Sequence, residues 1–188
     1  MRLAVFASGT GSNLLAIHDA IIEGSLVGEL VLVVVDNLEA PVIEKAKARG
    51  LHTFVVNPKQ FDNKTEYEKT ILNELIRLEV EFIALAGYMR LLTEVILDPY
   101  KGKVVNIHPS LLPKYKGKDA VGQALAAKET NFGVTIHYVD EGMDTGSIVA
   151  QRSFEDNSDD RTQIEARIHK IEHELYATTL REIWEGLK

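Results

Sequence analysis

Apolar positions along this chain fall into two alternating patterns, short solid runs and helix-spaced stripes. Residues 3–7 (LAVFA), 30–35 (LVLVVV), 53–56 (TFVV), 82–86 (FIALA) and 103–108 (KVVNIH) are solid runs closed by Ser-Gly, Asp-Asn, Asn-Pro, Gly or Pro. Rich in β-branched residues and short, they predict buried strands. Between them lie stripes at helical spacing: Leu14, Ile17, Ile21 and Ile22 within residues 13–23, and Tyr67, Ile71, Leu75 and Leu78 within 65–78. A further helix is opened by Pro41 and stopped by Gly50. Strand–helix alternation of this kind predicts an α/β fold, a doubly wound and mostly parallel sheet with helices on both faces.

The second half reads differently. In residues 134–139, Val134, Ile136 and Tyr138 alternate with Thr135 and His137, so one strand face is more polar and the strand is expected to be antiparallel or at an edge. A loop over 110–119 and a short helix over 120–127 precede it. Residues 147–153 predict the last strand, and 161–187 a long amphipathic helix with Ile164, Ile168, Ile171, Leu175 and Leu180 as its apolar stripe. No repeat or internal linker interrupts the pattern, and 188 residues with 45% hydrophobic content fit a single domain over 1–188.

Chemistry concentrates where the apolar pattern breaks. Asn106 and His108 stand at i and i+2 on the strand ended by Pro109, so an amide and an imidazole share one face at its carboxyl end. Open α/β sheets bind ligands at that end. The plain alternative is a buried amide and a strand-end histidine satisfied by backbone. Residues 8–13, S-G-T-G-S-N, form a glycine loop between strand and helix, where free N–H groups favour an anion. Only the first two glycines of a dinucleotide fingerprint occur, which favours a monophosphate; a tight turn capped by Ser12 or Asn13 explains the loop equally well. Tyr88-Met89-Arg90-Leu91-Leu92 could receive a flat heterocycle or be ordinary core with Arg90 at the surface. The acidic loop around Asp140, Glu141 and Asp144 suits a surface turn or a cation, although its ligand count falls short of a calcium site, and no metal is expected. His18, His52, His137, His169 and His173 read as structural or solvent-facing.

Composition narrows the classes. Lys and Arg number 21 against 28 Asp and Glu, a formal net charge of -7 without a compensating basic cluster, which argues against nucleic acid. There are no cysteines, hence no disulfide framework or thiolate chemistry. The first residues form an apolar run too short for a signal peptide, and no run of about 18 apolar residues could span a membrane, so a cytoplasmic chain is expected.

The motif N-I-H-P-S-L-L-P at 106–113, with S-G-T-G-S-N at 8–13 and D-E-G-M-D-T-G at 140–146, resembles the folate-dependent formyltransferases, in particular the branch acting on glycinamide ribonucleotide. The likeness runs in order from residue 3 to about 180. It implies an enzyme that passes the formyl group of 10-formyltetrahydrofolate to the ribonucleotide's amine, without a metal, on small-molecule substrates, as a monomer or homodimer. It also implies residue roles. Gly11, Ser12 and Asn13 would hold the phosphate, and Glu172, in an E-H-x-x-Y match ending at Tyr176, would contact the substrate. Met89, Arg90, Leu91, Leu92, Asp140 and Glu141 would bind the folate pterin, with Lys64 near its glutamate tail. Asn106, His108 and Asp144 would be catalytic, the carboxylate favouring the imidazolium of His108.

Lys64 departs from the family's arginine, losing the bidentate fork; Ser147 and Ala177 stand where prolines are common. A formyltetrahydrofolate deformylase would carry an N-terminal regulatory domain, for which a chain starting at a strand has no room. A methionyl-tRNA formyltransferase would carry a C-terminal RNA-binding domain and a more basic surface. A non-catalytic nucleotide-monophosphate binding module, using the glycine loop alone, is the alternative of another class.

Overall fold

The computed structural model describes residues 1–186. Its strands are β1 (Arg2–Ala7), β2 (Glu29–Val35), β3 (Thr53–Val55), β4 (Phe82–Leu85), β5 (Val104–His108), β6 (Asn131–Tyr138) and β7 (Ile148–Glu155). The helices are α1 (Ser12–Ile22), α2 (Val42–Ala48), α3 (Lys64–Arg77), α4 (Glu94–Leu97), α5 (Ala120–Ala126) and α6 (Arg161–Gly186). All seven strands form one sheet in the order β3-β2-β1-β4-β5-β6-β7. The first five pair in parallel, as the solid apolar runs predict; β6 and β7 are antiparallel. The polar alternation in β6 thus reports an antiparallel strand but not an edge, since β7 lies outside it.

Most element bounds agree with the apolar pattern to within a residue or two, and two departures have local causes. β6 begins at Asn131, ahead of the expected residue 134. Its Gly133 reads as a break, yet the missing side chain serves a close approach: a Cβ there would sit 2.5 Å from both Leu111 Cδ2 and the Arg152 carbonyl. The single turn α4 has too few residues to show a period, and its start is legible only as Thr93, whose hydroxyl caps Val95 N–H. The expected end of the last helix at residue 187 lies outside the described residues.

Two apolar layers sandwich the sheet. One is packed by α1, α2, α5 and α6 and includes Val105, Ile107, Val134 and Ile136. The other, under α3 and α4, is built on β1, β2 and β4 and reaches β5 only at Val104. Side chains alternate faces along a strand, so Asn106 and His108 continue the face of Val104 beyond the point where helices cover it. Tyr176 of α6 is fully buried, and its hydroxyl donates to the carbonyls of Leu85 at 2.8 Å and Val105 at 3.2 Å, riveting α6 to the ends of β4 and β5. β1 and β4 are neighbours from which the connections run in opposite directions, the switch point where such sheets leave a crevice.

Candidate active site

That crevice is a cavity of about 800 Å³ at the carboxyl ends of β1, β4 and β5, a volume at the upper end of small-molecule sites. The glycine loop closes one end. Gly11 has φ +76°, and a Cβ there would come within 2.8 Å of Val42 Cβ, so the requirement for glycine is backbone handedness and contact with α2. No side chain caps α1 among the described residues, which leaves its first N–H groups, including those of Ser12 and Asn13, facing the cavity. Lys45 Nζ donates to the Thr10 carbonyl at 2.8 Å and holds the loop from behind.

Beside the glycine loop stands Glu172, one turn before Tyr176 on α6 and 5% exposed. It accepts from Asn13 Nδ2 at 3.1 Å and pairs with His169 Nδ1 at 3.0 Å. The hydrogen bond to Glu172 raises the His169 pKa above its ordinary value, partly opposed by burial.

At the other end lies a tighter group. His108 donates from Nε2 to the Tyr115 carbonyl at 2.9 Å, while its Nδ1 faces Asp144 Oδ2 at 3.5 Å. Both ring nitrogens thus face an oxygen, one a backbone carbonyl and the other a carboxylate. Asp144 is held by Gly117 N–H at 2.8 Å. Burial would push its carboxyl up, but hydrogen bonding from His137 and Gly117 and the charges of His108 and His137 outweigh it and hold the pKa at about 2. Tyr115 and Asp144 both have positive φ, +56° and +52°, so two left-handed residues outside the glycines aim groups at one histidine.

Asn106 pairs across the ladder with His137, the residue opposite it in the β5–β6 register. His137 is 2% exposed, which removes the solvent-facing half of its reading as structural or solvent-facing, and it lines the cavity. Its Nδ1 donates to the Tyr138 carbonyl at 2.8 Å, so in the neutral ring Nε2 accepts from Asn106 Nδ2 at 3.2 Å. One N–H of the Asn106 amide remains for the cavity. His137 Nε2 also lies 3.5 Å from Asp144 Oδ1, so the amide of Asn106 and the carboxylate of Asp144 meet at one ring nitrogen. Alternation within β6 could not show this, because antiparallel register, not sequence spacing, puts the two residues opposite each other.

Expected residues divide plainly. Gly11, Ser12, Asn13, Met89, Arg90, Leu91, Leu92, Asn106, His108, Asp144 and Glu172 all line the cavity, and so does His169. Lys64, Asp140 and Glu141 do not. Lys64 starts α3 and lies 3.7 Å from Glu68; the Asp140 carboxylate turns into its own loop, accepting from Gly142 N–H and Thr145 Oγ1; Glu141 is exposed. Of that acidic loop, Gly142, Met143 and Asp144 form the wall. No cluster of three or more His, Cys, Asp or Glu suited to a metal occurs among the described residues. Nor is any helix among them long and apolar enough to cross a membrane.

A sheet-end cavity with an amide, an imidazole and a carboxylate converging at one end and uncapped helix N–H groups at the other suits proton-assisted group transfer to or from an anionic substrate. The chain belongs to the formyl transferase family, whose model matches residues 1–180. It is 48% identical to the phosphoribosylglycinamide formyltransferase of Bacillus subtilis (strain 168) over 183 residues, 97% of this chain and 94% of that protein. Its fold matches phosphoribosylglycinamide formyltransferase from Bacillus halodurans with a TM-score of 0.96 at 40% identity, covering 100% of this chain and 97% of the other. Glycinamide ribonucleotide transformylase 1 from Geobacillus kaustophilus matches with a TM-score of 0.94 at 50% identity over 97% of each chain.

Proposed function

We infer that this chain is a phosphoribosylglycinamide formyltransferase, moving the formyl group of 10-formyltetrahydrofolate onto the glycinamide amine in purine biosynthesis. The observation that carries the assignment of roles is the convergence of Asn106 and His108, backed by Asp144, on one end of a cavity whose other end is the open N-terminus of α1.

The ribonucleotide phosphate sits against the N–H groups of Gly11, Ser12 and Asn13, and Glu172 orients the glycinamide arm. The folate ring lies along Met89 to Leu92. The amine nitrogen attacks the formyl carbon, and the carbonyl oxygen becomes an oxyanion that takes the free N–H of Asn106. His108 then gives its Nδ1 proton to N10 as the carbon–N10 bond breaks, because Nε2 is committed to the Tyr115 carbonyl at 2.9 Å whereas the contact of Nδ1 with Asp144, at 3.5 Å, is long enough to be exchanged for N10. The proton lost by the attacking amine restores the imidazolium, so the net result is one formyl group and one proton exchanged between the two nitrogens. Asp144 keeps its charge throughout, since its carboxyl titrates far below neutral pH.

Release of tetrahydrofolate, followed by absorbance with and without the ribonucleotide, tests the reading. Release that depends on the ribonucleotide is expected. Equal release without it would identify a hydrolase, and none under either condition a binding module.

A further inference from the structure

The wall from Tyr88 to Leu92 exposes apolar side chains, Met89 at 69% and Leu91 at 44%, on a stretch outside any helix or strand. Such a segment would ordinarily be loose. Here two consecutive residues of α3 pin its two ends. Tyr67 and Tyr88 share a hydroxyl–hydroxyl hydrogen bond of 2.7 Å. Glu68, only 1% exposed, accepts the Thr93 N–H with both carboxylate oxygens at 3.1 and 3.0 Å, and the Thr93 hydroxyl at 2.5 Å. A buried carboxylate is expensive without partners, and these contacts with Lys64 at 3.7 Å supply them. At mid-segment Arg90 donates to Asp36 Oδ2 at 2.7 Å.

We propose that Glu68 is a positioning residue for the formyl donor: with Tyr67 it holds the Tyr88–Thr93 backbone as a preformed platform, so that ring binding orders little. This rests on the folate reading above. It also gives Lys64 a different task from gripping the donor's tail, namely neutralising Glu68. Preorganisation of this kind shows in affinity for one ligand and not in the chemical step.

Glu68→Ala leaves the half-buried Thr93 N–H without its acceptor, whereas Glu68→Gln keeps an acceptor of the same shape. Glu68→Ala is expected to raise the donor KM, and the Kd for tetrahydrofolate measured by calorimetry, about 10-fold, with the ribonucleotide KM and kcat within about 3-fold of wild type. Glu68→Gln should recover most of that affinity. Unchanged donor affinity in Glu68→Ala, or equal losses for both substrates, would overturn the proposal. Should Glu68→Ala fail to fold, Thr93→Ser and Thr93→Val carry the test: Ser keeps the hydroxyl shared by Glu68 and the Val95 N–H and is expected to bind the donor as wild type does, Val removes it and is expected to raise the same constants by a smaller factor, and equal donor affinity in the two variants would count against the proposal. Amide exchange across residues 89–93 in the ligand-free protein reports the platform by itself: faster exchange in Glu68→Ala is expected, and unchanged exchange would refute it. If wild type does not bind tetrahydrofolate at all, the folate reading fails instead.

Discussion

Two histidine–carboxylate pairs stand at opposite ends of the cavity, His108 with Asp144 and His169 with Glu172, and they are built differently. His108 is enclosed, its side chain 7% exposed and both ring nitrogens engaged, against a carboxylate itself pinned by Gly117. His169 is 59% exposed at its side chain and engaged at Nδ1 by Glu172, a carboxylate shared with Asn13. Enclosure without water is what lets fixed dipoles act on a developing charge. An open pair is screened and gains little beyond orientation. On the proposed mechanism the contrast places proton transfer at the His108 end and substrate orientation at the Glu172 end, although both ends present the same functional groups.

Breaking the enclosed end should cost most. His108→Ala and Asn106→Ala are each expected to lower kcat by about 100-fold or more with thermal stability near wild type, read from steady-state rates and melting curves. Near-normal turnover in either variant would remove the enclosed end from the chemistry. At the open end, Glu172→Gln should raise the ribonucleotide KM by roughly 10-fold and leave the donor KM near wild type. A loss confined to kcat would make the two ends alike.

The smallest effect sharpens the same contrast by pH. His169 has a raised pKa in the folded state, so its contribution to stability is fully present below the ordinary histidine value and fades as pH rises through the raised one. Glu172→Gln should return the His169 titration towards its ordinary value, followed by NMR of the ring protons. A titration left where it was would show that Glu172 is not the cause.

How much of this was readable from the chain depends on which physical relation set each residue. Asn106 and His108 share a strand face by simple alternation, and Pro109 marks its end, so their pairing was visible in the sequence. The solid runs of β1, β2 and β4 likewise carried their burial with them. His137 was missed because its partner is assigned by the β5–β6 register, a tertiary fact that spacing within one strand does not contain. The position of Glu172 follows from Tyr176 reaching two carbonyls on β4 and β5, which a helical stripe cannot announce. The acidic loop was legible as a cluster of oxygens, but not the left-handed turn at Asp144 that sends one carboxylate inward while Asp140 caps its own loop.

The central claim is that Asp144 sustains the imidazolium of His108 as the acid for the leaving nitrogen. Rate against pH for wild type and Asp144→Asn measures it. Removing the anion takes away the charge that faces Nδ1, so the alkaline limb of the rate should move to lower pH, with turnover reduced. An alkaline limb that stays in place, with activity largely kept, would contradict the account.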